Sequence, residues 1–179
     1  MKSKNFWWMA WVVVLAVAQS IGAAAEEHHA VVLSGFINDY SAKSVSPVGP
    51  WEVRGTWRMV IKPSGKADFS ATFTMVRSDY WVIAQGDPDQ PEGRVPHTHH
   101  LKVEDADVTT LQNGIQVDGP AEIMANGSPA GFSPSVVHIK VTGGTSVEFS
   151  NIQLTFDSPA SGHFGTDPLE GVVRRNSSQ

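Results

Sequence analysis

Between Trp51 and Met75 the apolar residues fall on every second position, a period that excludes a helix and demands strands. Trp51, Val53, Gly55, Trp57, Met59 and Ile61 alternate with Glu52, Arg54, Thr56, Arg58, Val60 and Lys62. After Pro63-Ser64-Gly65, Ala67, Phe69, Ala71, Phe73 and Met75 alternate with Asp68, Ser70, Thr72 and Thr74. Successive strand side chains point to opposite faces, so each segment has one apolar and one polar face. The turn residues between them make a long antiparallel hairpin. A lone hairpin is marginal in water, so its apolar face needs more strands to cover it.

The rest of the chain supplies them. Ala30–Ile37 reads as a first strand, with Val31, Leu33 and Gly35 on one parity. Tyr80–Ala84 reads as a short strand, followed by a loop over Gln85–Val95 whose Asp87, Asp89 and Glu92 fit a solvated rim. Pro96–Val103 alternates and is expected to end near Glu104-Asp105-Ala106-Asp107, before a brief strand over Val108–Leu111 and an Asn113-Gly114 hairpin turn. Ile115–Ala125 alternates again, and Pro120, with no N–H to donate, marks an edge or a bulge. Asn126–Pro134 is expected to be loop and Ser135–Val141 a strand, with Gly143-Gly144 turning the chain. Val147 and Phe149 oppose the parity of Ile152, Leu154 and Phe156, which a bulge near Ser150-Asn151 reconciles. Ser158–Asp167 reads as loop and Leu169–Arg174 as the last strand.

The fold class is therefore all-β: a single antiparallel β-barrel of 8–10 strands, with a sandwich as the alternative. Strands of about 12 residues favour the barrel. Gly55 and Gly119 suit tight bends. Trp51, Trp57, Phe69, Phe73, Ile115, Ile123, Ile139 and Leu154 are the expected core. The large aromatics among them fit a packed interior better than a ligand cavity.

Met1–Asn5 is short and basic, Phe6–Ala18 is an unbroken apolar run, and Ala23-Ala24-Ala25 offers a cleavage site. That order is expected to be a secretory signal peptide over residues 1–25, leaving a single barrel domain over 26–175 and a disordered tail over 176–179. The protein is then secreted or periplasmic, with no stable membrane anchor after cleavage. The chain has no cysteine, which excludes disulfides, a lipid-anchoring thiol and thiolate metal sites. Loss of Lys2 and Lys4 leaves 11 of the 13 basic residues against 18 acidic ones, a formal charge of −7. Such a balance argues against nucleic acid as a partner.

The chemistry concentrates in Pro96-His97-Thr98-His99-His100-Leu101-Lys102-Val103, where three of the seven histidines fall within four residues. His97 and His99 share the parity of Leu101 and Val103, so they should face inward. Inward imidazoles need partners, and imidazole is the commonest metal ligand. A third ligand would come from His163, then His138, with His100 and Glu104 as further candidates. A divalent transition metal, zinc or copper, is the expected cofactor, and a small molecule a possible second partner. A solvated strand end or a satisfied histidine pair without metal stays open, as does a catalytic or ligand-orienting role without metal. Cleavage after Ala25 would also begin the mature chain Glu26-Glu27-His28, whose terminal amine, two amides and imidazole form a square-planar copper motif.

Two family resemblances follow from short motifs. Gly55-Thr56-Trp57 near the start of a long strand resembles the Gly-X-Trp of lipocalins, which implies a barrel holding a small apolar ligand without metal. Ser78-Asp79-Tyr80 is similar to a second lipocalin motif, although it follows the first too soon. His97-Thr98-His99 with Glu104 resembles the first half of the cupin metal motif, which implies a metal-dependent enzyme acting on a small molecule. The second half departs, since His138 follows Pro129-Ala130-Gly131 at a longer spacing. Neither resemblance identifies a family. Metal-binding barrel, cupin-like enzyme and lipocalin-like carrier therefore remain the three functional readings.

Overall fold

The computed structural model describes residues 29–41, 50–77, 96–143 and 151–174. The expected signal peptide, Tyr80–Ala84, the Gln85–Val95 loop, Val147, Phe149, Ser150, the Glu26-Glu27-His28 motif and the tail lie outside them.

The strands are β1 (Val31–Tyr40), β2 (Trp51–Ile61), β3 (Lys66–Arg77), β4 (His97–Leu111), β5 (Gly114–Ala125), the two-residue β6 (Ser128–Pro129), β7 (Ser135–Thr142), β8 (Asn151–Phe156) and β9 (Leu169–Val173). One helical turn, α1 (Ser161–Phe164), lies between β8 and β9. All pairings are antiparallel, and each long strand joins its neighbours in sequence order. β9 returns to β1 through Gly35↔Val173, Phe36↔Val172 and Ile37↔Gly171, closing an eight-strand barrel. Closure removes the sandwich alternative. Consecutive pairing also makes this an up-and-down barrel, whereas cupins are jelly rolls with Greek-key connections.

The hairpin of β2 and β3 forms in the register its alternation requires, with Trp57 opposite Ala71 and Gly55 opposite Phe73. An eight-strand barrel is just wide enough for side chains to fill. Val53, Trp57, Met59, Phe69, Phe73, Leu101, Val117, Ile123, Ile139 and Leu154 fill it. Trp57 is 3% exposed, stacks on Phe69 at 6.3 Å between ring centroids, and donates its indole N–H to the Val172 carbonyl across the closing seam. These aromatics are core. Ile115 is only half-buried, because it lies one residue from the end of β5, where the core stops. Val31 likewise runs beyond the core and is exposed.

Around β4 and its turn two features differ from expectation, besides the longer β1 and the short β6 and α1 inside expected loops. The chain does not stop at Glu104–Asp107: β4 continues as one strand of 15 residues through a bulge. Four residues of β4 between Lys102 and Asp107 face three of β5 between Glu122 and Asp118. Asp105 takes φ 52°, and its N–H donates to Asp68 Oδ1 at 2.9 Å. Pro120 sits opposite this break in the ladder, where its missing N–H costs nothing. Gly119 is also there, since a Cβ would come within 3.0 Å of Val103 Cγ1. The β4–β5 turn is Gln112-Asn113, one residue earlier than expected, because Leu111 already pairs with Gly114. Gly114 is needed for close packing against β7, where an added Cβ would meet the Val141 carbonyl at 2.0 Å.

Candidate metal centre

The bulge in β4 sets which histidines enter the barrel. Before it, His97, His99, Leu101 and Val103 lean inward, and His99 is fully buried. The outward parity takes His100, Lys102 and Glu104 to the surface. His99 crosses to β5, where its Nδ1–H donates to the Met124 carbonyl at 3.2 Å. That bond places the lone pair of the neutral ring on Nε2, facing the barrel mouth.

The third histidine comes from far along the chain. Phe164 is completely buried: it stacks on Phe156 at 4.3 Å and packs edge-on against Phe73 and His99. Sinking Phe164 draws its neighbour His163 over the mouth. α1 supports this with N–H donations from His163 and Phe164 to the Ala160 carbonyl at 2.9 and 3.0 Å. Phe132, in the loop before β7, stacks on the His163 ring at 4.9 Å. Trp51 packs edge-on against His97 at 5.1 Å.

The three imidazoles then converge. His163 Nε2 lies 3.0 Å from His99 Nε2 and 3.2 Å from His97 Nε2, and one ligand atom from each ring lies within 4.8 Å of the others. Opposed lone pairs at these distances repel, so each contact needs a hydrogen or a cation between the rings. Tetrahedral zinc with Zn–N bonds of about 2.0–2.1 Å holds its nitrogens about 3.3 Å apart. The two separations from His163, 3.0 and 3.2 Å, match that edge, and the whole group lies within 4.8 Å. Burial pulls the His99 pKa down to about 3, helped by the neighbouring His163 and His97. Burial and then His97 bring that of His163 to about 4. Both rings are therefore neutral at pH 7 and ready to ligate.

The remaining candidates stand elsewhere. His100 is exposed and hydrogen-bonds through Nδ1 to Thr72 Oγ1 at 2.8 Å. Glu104 is on the outer face, paired with Lys102 at 2.7 Å, and does not supply the carboxylate that the cupin motif needs. His138 is also outside, held between Asp118 and Asp157 at 2.7 and 3.2 Å. None of these joins the interior group, because strand alternation sends each to the opposite face. Beyond its ligands, the site uses Phe132 and Phe164, which strand alternation does not single out, and Asn126. The last heads an Asn-Gly turn between β5 and β6, with φ of 48° and 82° at its two residues. Its Oδ1 accepts from the Thr98 N–H at 2.9 Å, and its own N–H donates to the Thr98 carbonyl at 2.8 Å.

A recess of about 300 Å³ opens onto the three rings, with Ala125, Asn126, Ala130, Gly131 and Phe132 as its walls. Among the described residues the group has three ligands and an open side, the arrangement of zinc sites that exchange water or substrate, whereas structural sites are closed by four protein ligands. Comparison with protein-family models, with curated proteins and with solved structures finds no match to this chain.

Proposed function

We propose that this β-barrel is an exported protein that holds one divalent transition metal, zinc or copper, on His97, His99 and His163, with a fourth coordination position open to the recess. The observation that carries the reading is the mutual approach of three imidazole nitrogens from two distant parts of the chain. Supporting it are the neutral state of His99 and His163 at pH 7 and the bond that orients His99 from behind. Export is proposed from the basic start, apolar run and small-residue cleavage pattern of residues 1–25. The open position makes exchange of a bound water for a small molecule the natural chemistry of the site, and an enzyme on this plan would act there.

The test is a calorimetric titration of metal-stripped protein with zinc, which the proposed Glu26-Glu27-His28 copper motif does not compete for. One zinc should bind, and His97→Ala, His99→Ala and His163→Ala should each weaken it by more than about 100-fold, beyond the usual loss from a supporting residue. His100→Ala and His138→Ala should leave it unchanged. Unaltered zinc binding in His99→Ala would remove the reading.

A further inference from the structure

We infer that the recess selects a small monocarboxylate, with one oxygen on the metal, the other accepting from the Asn126 side-chain amide, and a short apolar tail against Ala125, Ala130 and Phe132. The inference rests on the metal reading above and names the ligand of its open position.

The first argument is charge. The three ligands are imidazoles, so a divalent ion among them keeps its full charge. The rings that enclose them are Phe73, Phe132, Phe164 and Trp51, a poorly screening wall. Among the described residues no carboxylate lines the recess, and Glu104, Asp118 and Asp157 are paired outside the barrel, the first with Lys102 and the other two with His138. An uncompensated cation in such surroundings draws an anion into its open position.

The second argument is the wall. Among the described residues lining the recess, Asn126 is the one polar side chain besides the histidines. Its Oδ1 is taken by the Thr98 N–H, so the amide NH₂ is what it has left to offer. A single amide donor beside a metal suits the two oxygens of a carboxylate. Phosphate or sulfate would need several more donors and has no apolar part to place. The rest of the lining besides the histidines, Ala125, Ala130, Gly131 and Phe132, offers small side chains and one ring face. At about 300 Å³ the recess stands at the small end of ligand pockets, which limits the tail to a few carbons or one ring.

The test uses full-length protein loaded with cobalt(II), a coloured substitute for zinc, and titrated with acetate, butyrate, benzoate, phosphate and n-butanol. The visible spectrum should shift with the three carboxylates, about tenfold more tightly for butyrate than for acetate, as two more buried methylenes require. Phosphate and n-butanol should leave it unchanged at the same concentrations. Asn126→Asp keeps an oxygen for the Thr98 N–H while replacing the donor with a charge, and should weaken all three carboxylates at least tenfold with cobalt retained. Ala130→Leu should weaken benzoate more than acetate. A cobalt spectrum that ignores the carboxylates, answers equally to n-butanol or phosphate, or survives Asn126→Asp with carboxylate affinity intact overturns this inference and leaves the metal centre standing. Failure of the unaltered protein to take up cobalt overturns both.

Discussion

His99 inside the barrel mouth and His138 on its outer wall carry the same ring into opposite chemistry. His99 is packed among Phe73, Phe132 and Phe164, with two further imidazoles as its polar neighbours. Burial removes the water that would stabilise a charge, and its pKa falls to about 3. His138 faces Asp118 from β5 through Nδ1 and Asp157 at the end of β8 through Nε2. Both ring nitrogens can donate only in the cation, and the two carboxylates hold its pKa above the ordinary value, Asp118 most strongly. The lesson is that strand parity chooses the role. The inward His99 is held neutral with a lone pair on Nε2, and the outward His138 beside two acids favours its cation and becomes a clasp between strands.

The sharpest way to break the comparison is to remove the support of the interior side. Phe164→Ala should destabilise the protein by about 3–5 kcal/mol, the usual range for a buried aromatic, and should free His163 from the mouth. Urea unfolding gives the first effect and zinc titration the second. A loss below about 1 kcal/mol would mean that α1 is not anchored through this ring.

A smaller effect separates the two environments by pH. The folded pKa values of His99 and His163 lie below their unfolded value of 6.5, so the unfolded chain takes up protons that the fold refuses. Stability from these rings is complete above pH 6.5 and falls as the pH drops towards 4 and then 3. Metal-free protein should therefore lose up to about 3 kcal/mol between pH 6.5 and 5, before most carboxylates titrate. A urea midpoint that stays flat over that window would show that the rings accept protons in place.

The smallest effect has the opposite sign. The raised pKa of His138 gives stability that is present below pH 6.5 and is lost as the pH rises through the folded value. The cluster is well exposed to solvent, which limits its worth to roughly 0.3–1 kcal/mol. The stability difference between the natural protein and His138→Ala should be measurable at pH 6 and should shrink by pH 9. A difference that grows with pH would reverse the assignment.

Much of this architecture is legible in the amino-acid order, because a barrel strand writes its two faces into alternate residues. Trp57, Phe69 and Ile139 are core on parity alone, and parity also turns His97 and His99 inward together. The position of His163 is not legible in that way. It lies in a one-turn helix, where no period exists to read, and it is placed by the burial of Phe164 against Phe156, a contact between segments that no local pattern records. The continuation of β4 is hidden for a related reason: Glu104-Asp105-Ala106-Asp107 has the composition of a strand end, and only the pairing with Asp68 and the β5 ladder turns it into a bulge. Asn126 has an ordinary turn signature. Its place on the recess wall follows from where the turn falls relative to Thr98.

The extra residue in β4 divides that strand into two independent phases. Beyond the bulge, Ala106 rather than the odd-numbered Asp105 or Asp107 points into the barrel, so the distal half keeps its core whichever way the proximal half is set. Slippage of the proximal half by one position would carry His97 and His99 out together and bring Thr98 and His100 in, with no intermediate state holding one ligand. The two strand histidines therefore behave as a single heritable unit. A one-residue insertion or deletion between His99 and Glu104 would turn both rings outward together, whereas one beyond Ala106 would leave their parity unchanged.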